Sequence, residues 1–363
     1  MQNQDFKHNS KLAQILAQLR EQIKQKYSFM EVCGTHTVSI LKNGFRDYFK
    51  NKIDFLSGPG CPVCVTAQRD IDKIVCLAKQ NVIIATFGDM IKVPGTKSSL
   101  EKEQAKGADV KIIYNPLQCI DLARKYKDKK IVFIGIGFET TAPVIAALVQ
   151  DAYQKNIRNL FILPLLKTIP QAINFLLQSP KVNINGFLLP GHVSVIIGEN
   201  PYKFINSKYQ LACAIAGFEP LDIALAIKSL LSQIKDGNPK IDNVYRRVVK
   251  KEGNPKAKVL IFKTFQKCDT YWRGLGIIPH SGLKLLDKYA DFDADKNFSL
   301  EFEIEEKATG CICGDILAGI KSPLDCKLFG TKCTPDNPIG PCMVSIEGAC
   351  SAFYKYGLTS INK

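Results

Sequence analysis

The chain is predicted to be an α/β protein of two lobes, each built on a parallel sheet, followed by a cysteine-rich C-terminal segment. Three observations support this. Short apolar runs of strand length alternate with segments of helical periodicity over most of the chain. The runs are continuous rather than alternating, as in strands buried on both faces. Beyond Gly282 this rhythm gives way to acidic, loop-rich sequence and then to six cysteines between Cys311 and Cys350.

The elements follow in order. LAQILAQLREQIKQ (12–25) repeats apolar residues at helical spacing and reads as an amphipathic helix. NVIIATF (81–87) reads as a buried strand closed by the turn-forming GDMIKVPG, and KIIYN (111–115) as a second strand. PLQCIDLARKY (116–126) is a helix with proline near its start. KIVFIGIGF (130–138) is a third strand, and PVIAALVQDAYQK (143–155) is the helix after it. NLFILPLL (159–166), PQAINFLLQ (170–178), GFLLPG (186–191) and PLDIALAIKSLLSQI (220–234) continue the alternation. NVYRRVV (243–249) reads as a short strand between the turn-rich DGNPK and KEGNPKAK. The rhythm is longer than one small doubly wound sheet needs, so two consecutive lobes are expected, at 1–127 and 128–240, with 241–363 as the cysteine-bearing domain.

Composition excludes several classes. The longest apolar runs are far too short to span a bilayer, and the polar N-terminus carries no leader pattern, so no membrane contact and a cytoplasmic location are expected. In that compartment clustered thiols point to metal or redox chemistry. The formal charge of +15 comes from 49 Lys and Arg against 34 Asp and Glu. The lysines are scattered and not interleaved with aromatics, which argues for a solvated surface and against a nucleic-acid partner. An acidic protein partner remains compatible with this charge.

The candidate chemistry lies in two thiol groups. In the tail, Cys311, Cys313, Cys326, Cys333, Cys342 and Cys350 are spaced C-x-C and then by twelve, six, eight and seven residues. A zinc ribbon needs two tight C-x-x-C pairs, which are missing here. Long Gly- and Pro-rich loops suit a cubane iron–sulfur cluster better than zinc or plain disulfides. Upstream, GPGCPVC places Cys61 and Cys64 where a helix start favours thiolate, and EVCGTHT places Cys33 three residues before His36. GFETTAP and PGHVSVIIG follow apolar runs directly, so Glu139, Thr140, Thr141 and His192 are placed to line a crevice. WRGLGIIPHSGL (272–283) suggests an ordered loop. Cys76, Cys119, Cys213 and Cys268 read as structural. No phosphate-binding glycine signature is present.

Taken together, EVCGTHT, SGPGCPVCVT, TFGDMIKVPG, GIGFETTAP, LPGHVSVIIG, GFEPLDI, YWRGLGIIPHSGL and the cysteine-rich tail closely resemble the HypD family of [NiFe]-hydrogenase maturation proteins. The resemblance implies two Rossmann-like parallel-sheet lobes plus a C-terminal iron–sulfur cluster domain. It implies a scaffold on which an iron atom acquires two cyanides and one carbon monoxide, Fe(CN)2CO. Its partners would be a HypC-type chaperone and a HypE-type cyanide donor. Carried onto this chain, Cys33 and Cys64 become the iron-contacting thiols, Cys61 the redox partner of Cys64, and His36 their neighbour. A [4Fe-4S] cluster falls to Cys313, Cys326, Cys333 and Cys350, with Glu347 close to the last and Cys311 and Cys342 left over. A redox-active assembly scaffold is expected rather than a conventional turnover enzyme. The competing reading from the same thiols is an iron–sulfur-dependent thiol–disulfide oxidoreductase, which leaves Cys33 and His36 without a task.

Overall fold

In the computed structural model, which describes residues 10–300 and 309–357, eleven strands form two sheets. The first sheet has the order β2-β1-β7-β8-β9 and is parallel throughout. Its strands are β1 (Tyr27–Glu31), β2 (Ile53–Ser57), β7 (Gly186–Pro190), β8 (Ala212–Ala216) and β9 (Ile241–Asn243). The second has the order β10-β11-β6-β5-β3-β4. Here β3 (Val82–Thr86), β4 (Asp109–Ile112), β5 (Lys130–Gly137) and β6 (Leu160–Lys167) run parallel. The hairpin of β10 (Phe265–Trp272) and β11 (Gly276–Leu285) extends that sheet antiparallel to β6.

The apolar runs behave as their chemistry dictates. Every residue of β5 except Lys130 is buried, as befits a central strand covered on both faces. The N-terminal helix Ser10–Gln22 buries Leu12, Leu16 and Leu19, one stripe at helical spacing, and packs against the helix Pro220–Lys235. That longer helix opens with Pro220 in its first turn and a reciprocal cap between Glu219 and Asp222, so its start is fixed by local sequence.

Four expectations are corrected. The lobes are not consecutive: a cut after residue 127 would separate β3 and β4 from β5 and β6 of one sheet, and β1 and β2 from β7 and β8 of the other, where β1 pairs with β7. Residues 241–285 do not belong with the tail either, because β9 completes the first sheet and the β10–β11 hairpin extends the second. Apolar periodicity reports that a strand is buried and is silent on its neighbour. The strand expected over 243–249 ends at Asn243; the amides of Tyr245 and Val249 bond locally to Asn243 Oδ1 and Tyr245 O instead. The ordered loop expected at 272–283 is the turn and second strand of the hairpin, with Gly274 and Gly276 at positive φ.

Trp272 locks this hairpin to the rest. It is 1% exposed, its indole N–H donates to Ser281 Oγ at 2.8 Å, and its ring stacks on Phe138. Beside it the buried Lys167 ammonium donates to Tyr271 O at 2.7 Å and lies 3.9 Å from Asp70. Replacing Trp272 by Ala should destabilise the protein by about 3–5 kcal/mol, the range for truncating a large buried aromatic. Urea unfolding checks this; a loss below about 1 kcal/mol would show that the hairpin is held elsewhere.

Candidate functional site

The chain reverses its direction of strand addition between β1 and β7, and again between β3 and β5. At such a point the loops leaving the carboxyl ends of neighbouring strands part and leave a crevice. Val32 and Cys33 follow β1, and His192 and Val193 follow β7. From the other sheet Phe138, Thr140 and Thr141 follow β5. All line one cavity of about 430 Å3, which Gly60, Pro62 and Glu347 complete.

Cys33 caps the start of the helix Gly34–Lys42. It is 8% exposed, and burial, aided by the charge of Glu347, pushes its thiol up to about 11. A free Cys33 therefore stays protonated at neutral pH, and a soft metal bound there must displace the proton. Thr35 donates from Oγ1 to Glu347 Oε1 at 2.7 Å, tying the tail to this helix. Two glycines permit the approach. A Cβ on Gly60 would lie 2.3 Å from the Cys33 nitrogen, and one on Gly34 would lie 2.4 Å from the Glu347 carbonyl oxygen.

Cys61 and Cys64 form a disulfide with Cα atoms 5.2 Å apart, on the short helix Pro62–Val65. Both are buried, and neither lines the cavity, which their loop reaches through Gly60 and Pro62. The His36 backbone N–H donates to Cys33 O at 3.0 Å, but its imidazole does not line the cavity. It is fully buried, with Nε2 2.9 Å from Gly217 O, Nδ1 unpartnered and its ring against Phe218. Burial pulls it down to about 4, so it is neutral at physiological pH. The cavity histidine is His192, whose ring also stacks on Phe218, with centroids 3.9 Å apart. Cys33 is the cap outside the helix and meets His36 through the His36 backbone N–H, so the spacing does not bring the imidazole into the cavity.

In the tail, five thiols line one small cavity: Cys311, Cys326, Cys333, Cys342 and Cys350. Cys313 is not among them. It opens the helix Cys313–Leu317 and shares a hydrogen bond with Cys311, whose Sγ would lie 2.7 Å from a Cβ at Gly340. Burial pushes the Cys350 thiol up, reinforced by the charges of Cys311, Cys333 and Cys326. Among the described residues no group of three or more His, Cys, Asp or Glu side chains is arranged to hold a metal ion. The thiol-lined cavity adjoins the disulfide, for the helix Pro341–Val344, which carries Cys342, packs on Pro62–Val65.

Sequence reasoning missed Arg273. Its backbone N–H donates to Val65 O and its Nε to Thr66 O, both at 2.9 Å, while its charge bears on Cys342 and Cys311. No spacing signals this, because the contacts span some two hundred residues of chain. Glu139 also departs from expectation: it turns away from Thr140 and Thr141, and both its oxygens accept from the Ile169 N–H, at 3.1 and 3.3 Å.

A two-sheet α/β protein with one thiol in its crevice, a disulfide behind it and a thiol-lined cavity in the tail is the class that fold and geometry define. The chain matches the HypD model, described as the hydrogenase formation hypA family, over residues 8–357, and it belongs to that family of hydrogenase maturation factors. It is 45% identical over 332 residues to a putative hydrogenase expression/formation protein of Methanocaldococcus jannaschii, covering 91% of this chain and 92% of that one. It is 38% identical to the hydrogenase maturation factor HypD of Cupriavidus necator, over 98% and 96% of the two chains. It is 39% identical to that of Azotobacter vinelandii, over 97% and 96%. No helix among the described residues is long and apolar enough to cross a membrane.

Folding raises Glu139 from an ordinary value near 4.5 to about 7, through burial. The folded state thus holds this proton more tightly. The stability it contributes is complete below about pH 4.5 and is lost as pH rises through about 7. Glu139→Gln keeps the acceptor for Ile169 and removes the titration, so its melting temperature should fall less than wild type between about pH 5 and pH 8. Parallel melting curves for the two proteins would refute the assignment.

Proposed function

We propose that the chain is the scaffold on which the Fe(CN)2CO group of a [NiFe]-hydrogenase is assembled in the cytoplasm, with the iron fragment as its cargo. One observation carries this reading: Cys33, the loop bearing Cys61 and Cys64, and Glu347 of the tail meet around one cavity. Cyanide and carbon monoxide favour low-spin iron, which soft thiolates hold well. Cys33 is the first thiolate ligand, its proton leaving as iron binds, and Glu347 lies on the same cavity wall. Cys64 becomes the second only when the disulfide is reduced, since it is now bonded to Cys61. His36 has no direct part in this reading, and neutral His192 occupies the cavity wall.

A cyanide delivered as a thiocyanate needs two electrons and a proton to leave as cyanide and a thiol. Oxidation of the Cys61–Cys64 dithiol to the disulfide releases two electrons, and the pair must then be re-reduced. A [4Fe-4S] cluster in the tail would supply them one at a time. The donor set suits that group: five thiols around one cavity, mutually repelling when ionised, answer the need for one thiolate on each of four irons. Within it Cys311 takes the place expected of Cys313, beside Cys326, Cys333 and Cys350, and Cys342 is spare on the helix facing the disulfide. A HypC-type chaperone would bring or remove the iron, and a HypE-type protein would donate cyanide. A thiol–disulfide oxidoreductase accounts for the disulfide beside the tail thiols and gives Cys33 no purpose.

Infrared spectra of the anaerobically purified protein with its small chaperone test the scaffold. Stretching bands of iron-bound cyanide and carbon monoxide are expected, and Cys33→Ala or Cys64→Ala should abolish them. Bands that persist in both variants would sink the proposal. For the tail, Cys311→Ala should lose iron, sulfide and brown absorbance, whereas Cys313→Ala should keep them; the reverse outcome restores Cys313 as ligand.

A further inference from the structure

A second cavity lies back to back with the Cys33 cavity. Consecutive residues line the two cavities at two places in the chain. Thr140 and Ile196 face the Cys33 side, while their neighbours Glu139 and Ile197 face a larger space of about 750 Å3. The β10–β11 hairpin and the helix Pro255–Thr264 close the far side, through apolar residues such as Ile261 and Phe265. Glu139 is its one carboxylate among the described residues, and both oxygens are already engaged by the Ile169 amide.

The mouth differs in character from the interior. Phe262 stands there 70% exposed, and Val259, one turn earlier on the same helix, is 49% exposed. Large apolar side chains left in water beside an apolar cavity mark an interaction surface. Lys258 and Lys267 also line it. Neither makes an ion pair among the described residues: the Lys258 ammonium donates to Glu252 O, and the Lys267 charge falls on Glu139. Of the polar groups on the wall, Thr168 and Gln171 bond to each other and Glu139 to the Ile169 amide, whereas apolar depth with a cationic rim matches a peptide carrying apolar side chains and carboxylates.

We propose that this cavity seats apolar side chains from an acidic segment of a partner protein, with Phe262 as the platform and Lys258 and Lys267 meeting the partner's carboxylates. The segment would press on the same wall that carries Thr140 and Ile196, so docking on one side is felt in the Cys33 cavity on the other. This surface is independent of whether iron is assembled at Cys33.

The test is fluorescence anisotropy of the full-length protein with three labelled amphipathic peptides of equal length. One pairs Leu and Phe with Glu, the second Leu and Phe with Lys, and the third Ser and Gln with Glu. Only the first should bind. Phe262→Ser, and Lys258→Glu combined with Lys267→Glu, should each weaken it about tenfold or more, as expected for the central anchors of an interface. Lys127→Glu, beyond the opposite end of β5, should leave it unchanged. Equal binding of the Glu and Lys peptides, indifference to Phe262→Ser, or no binding of the first peptide would overturn the proposal. So would displacement of the peptide by laurate at lower concentration, which would assign the cavity to a small amphipathic acid. Sedimentation showing a dimer lost in Phe262→Ser would assign it to a second copy of this chain.

Discussion

Backbone packed directly on backbone, at two glycines, is what the rest of the molecule's chemistry depends on. Gly60 lies so close to Cys33, and Gly34 so close to Glu347, that a single methyl group at either position would overlap main-chain atoms. The Gly34 N–H to Gly60 O hydrogen bond at 3.1 Å adds direction to the contact. Through these contacts three segments far apart in the chain share one cavity. A side chain between them would push the thiol-bearing loops apart, and neither sheet could compensate, because both are close-packed and respond to added volume with strain.

Burial sets the electrostatics more than pairing does. Cys33 and Glu31 are held toward their neutral forms chiefly by desolvation, even though Thr35 favours the Cys33 thiolate and Arg46 favours the Glu31 carboxylate. His36 is neutral for the same reason. The surroundings of Cys33 are therefore an apolar medium with few charges, where a cationic metal fragment would be the strongest charge present. The tail thiols add a second effect, mutual repulsion, which makes their joint ionisation costly without a cation.

The sequence made the interior strands and motif loops readable and left their assembly hidden. β5 and β6 are long continuous apolar runs, and the Pro220–Lys235 helix has both its period and its start signal. β1 (YSFME) and β8 (ACAIA) carry no such run of large apolar residues, so these two strands of the first sheet are the ones periodicity overlooks. Thr140, Thr141 and His192 were readable because a loop after a parallel strand has a known place. Whether His36 turned toward Cys33 depended on the rotation of a cap relative to its helix, and which of Cys311 and Cys313 faced the thiol cavity depended on one helix start. Spacing alone carries neither fact.

The order in which the sheets take up the chain has a consequence for synthesis. β1 and β2 emerge early, yet the strand that covers the other edge of β1 begins only at Gly186, after four strands of the second sheet have been made. A ribosome-bound chain must therefore carry an apolar two-stranded ribbon with an open edge while its neighbour grows, a state prone to wrong pairing. The polypeptide crosses between sheets after β2, after β6 and after β9, so no single cut of the chain separates the two sheets with each left whole. The two halves of the crevice are inherited together: no continuous piece of the chain carries one whole sheet without strands of the other.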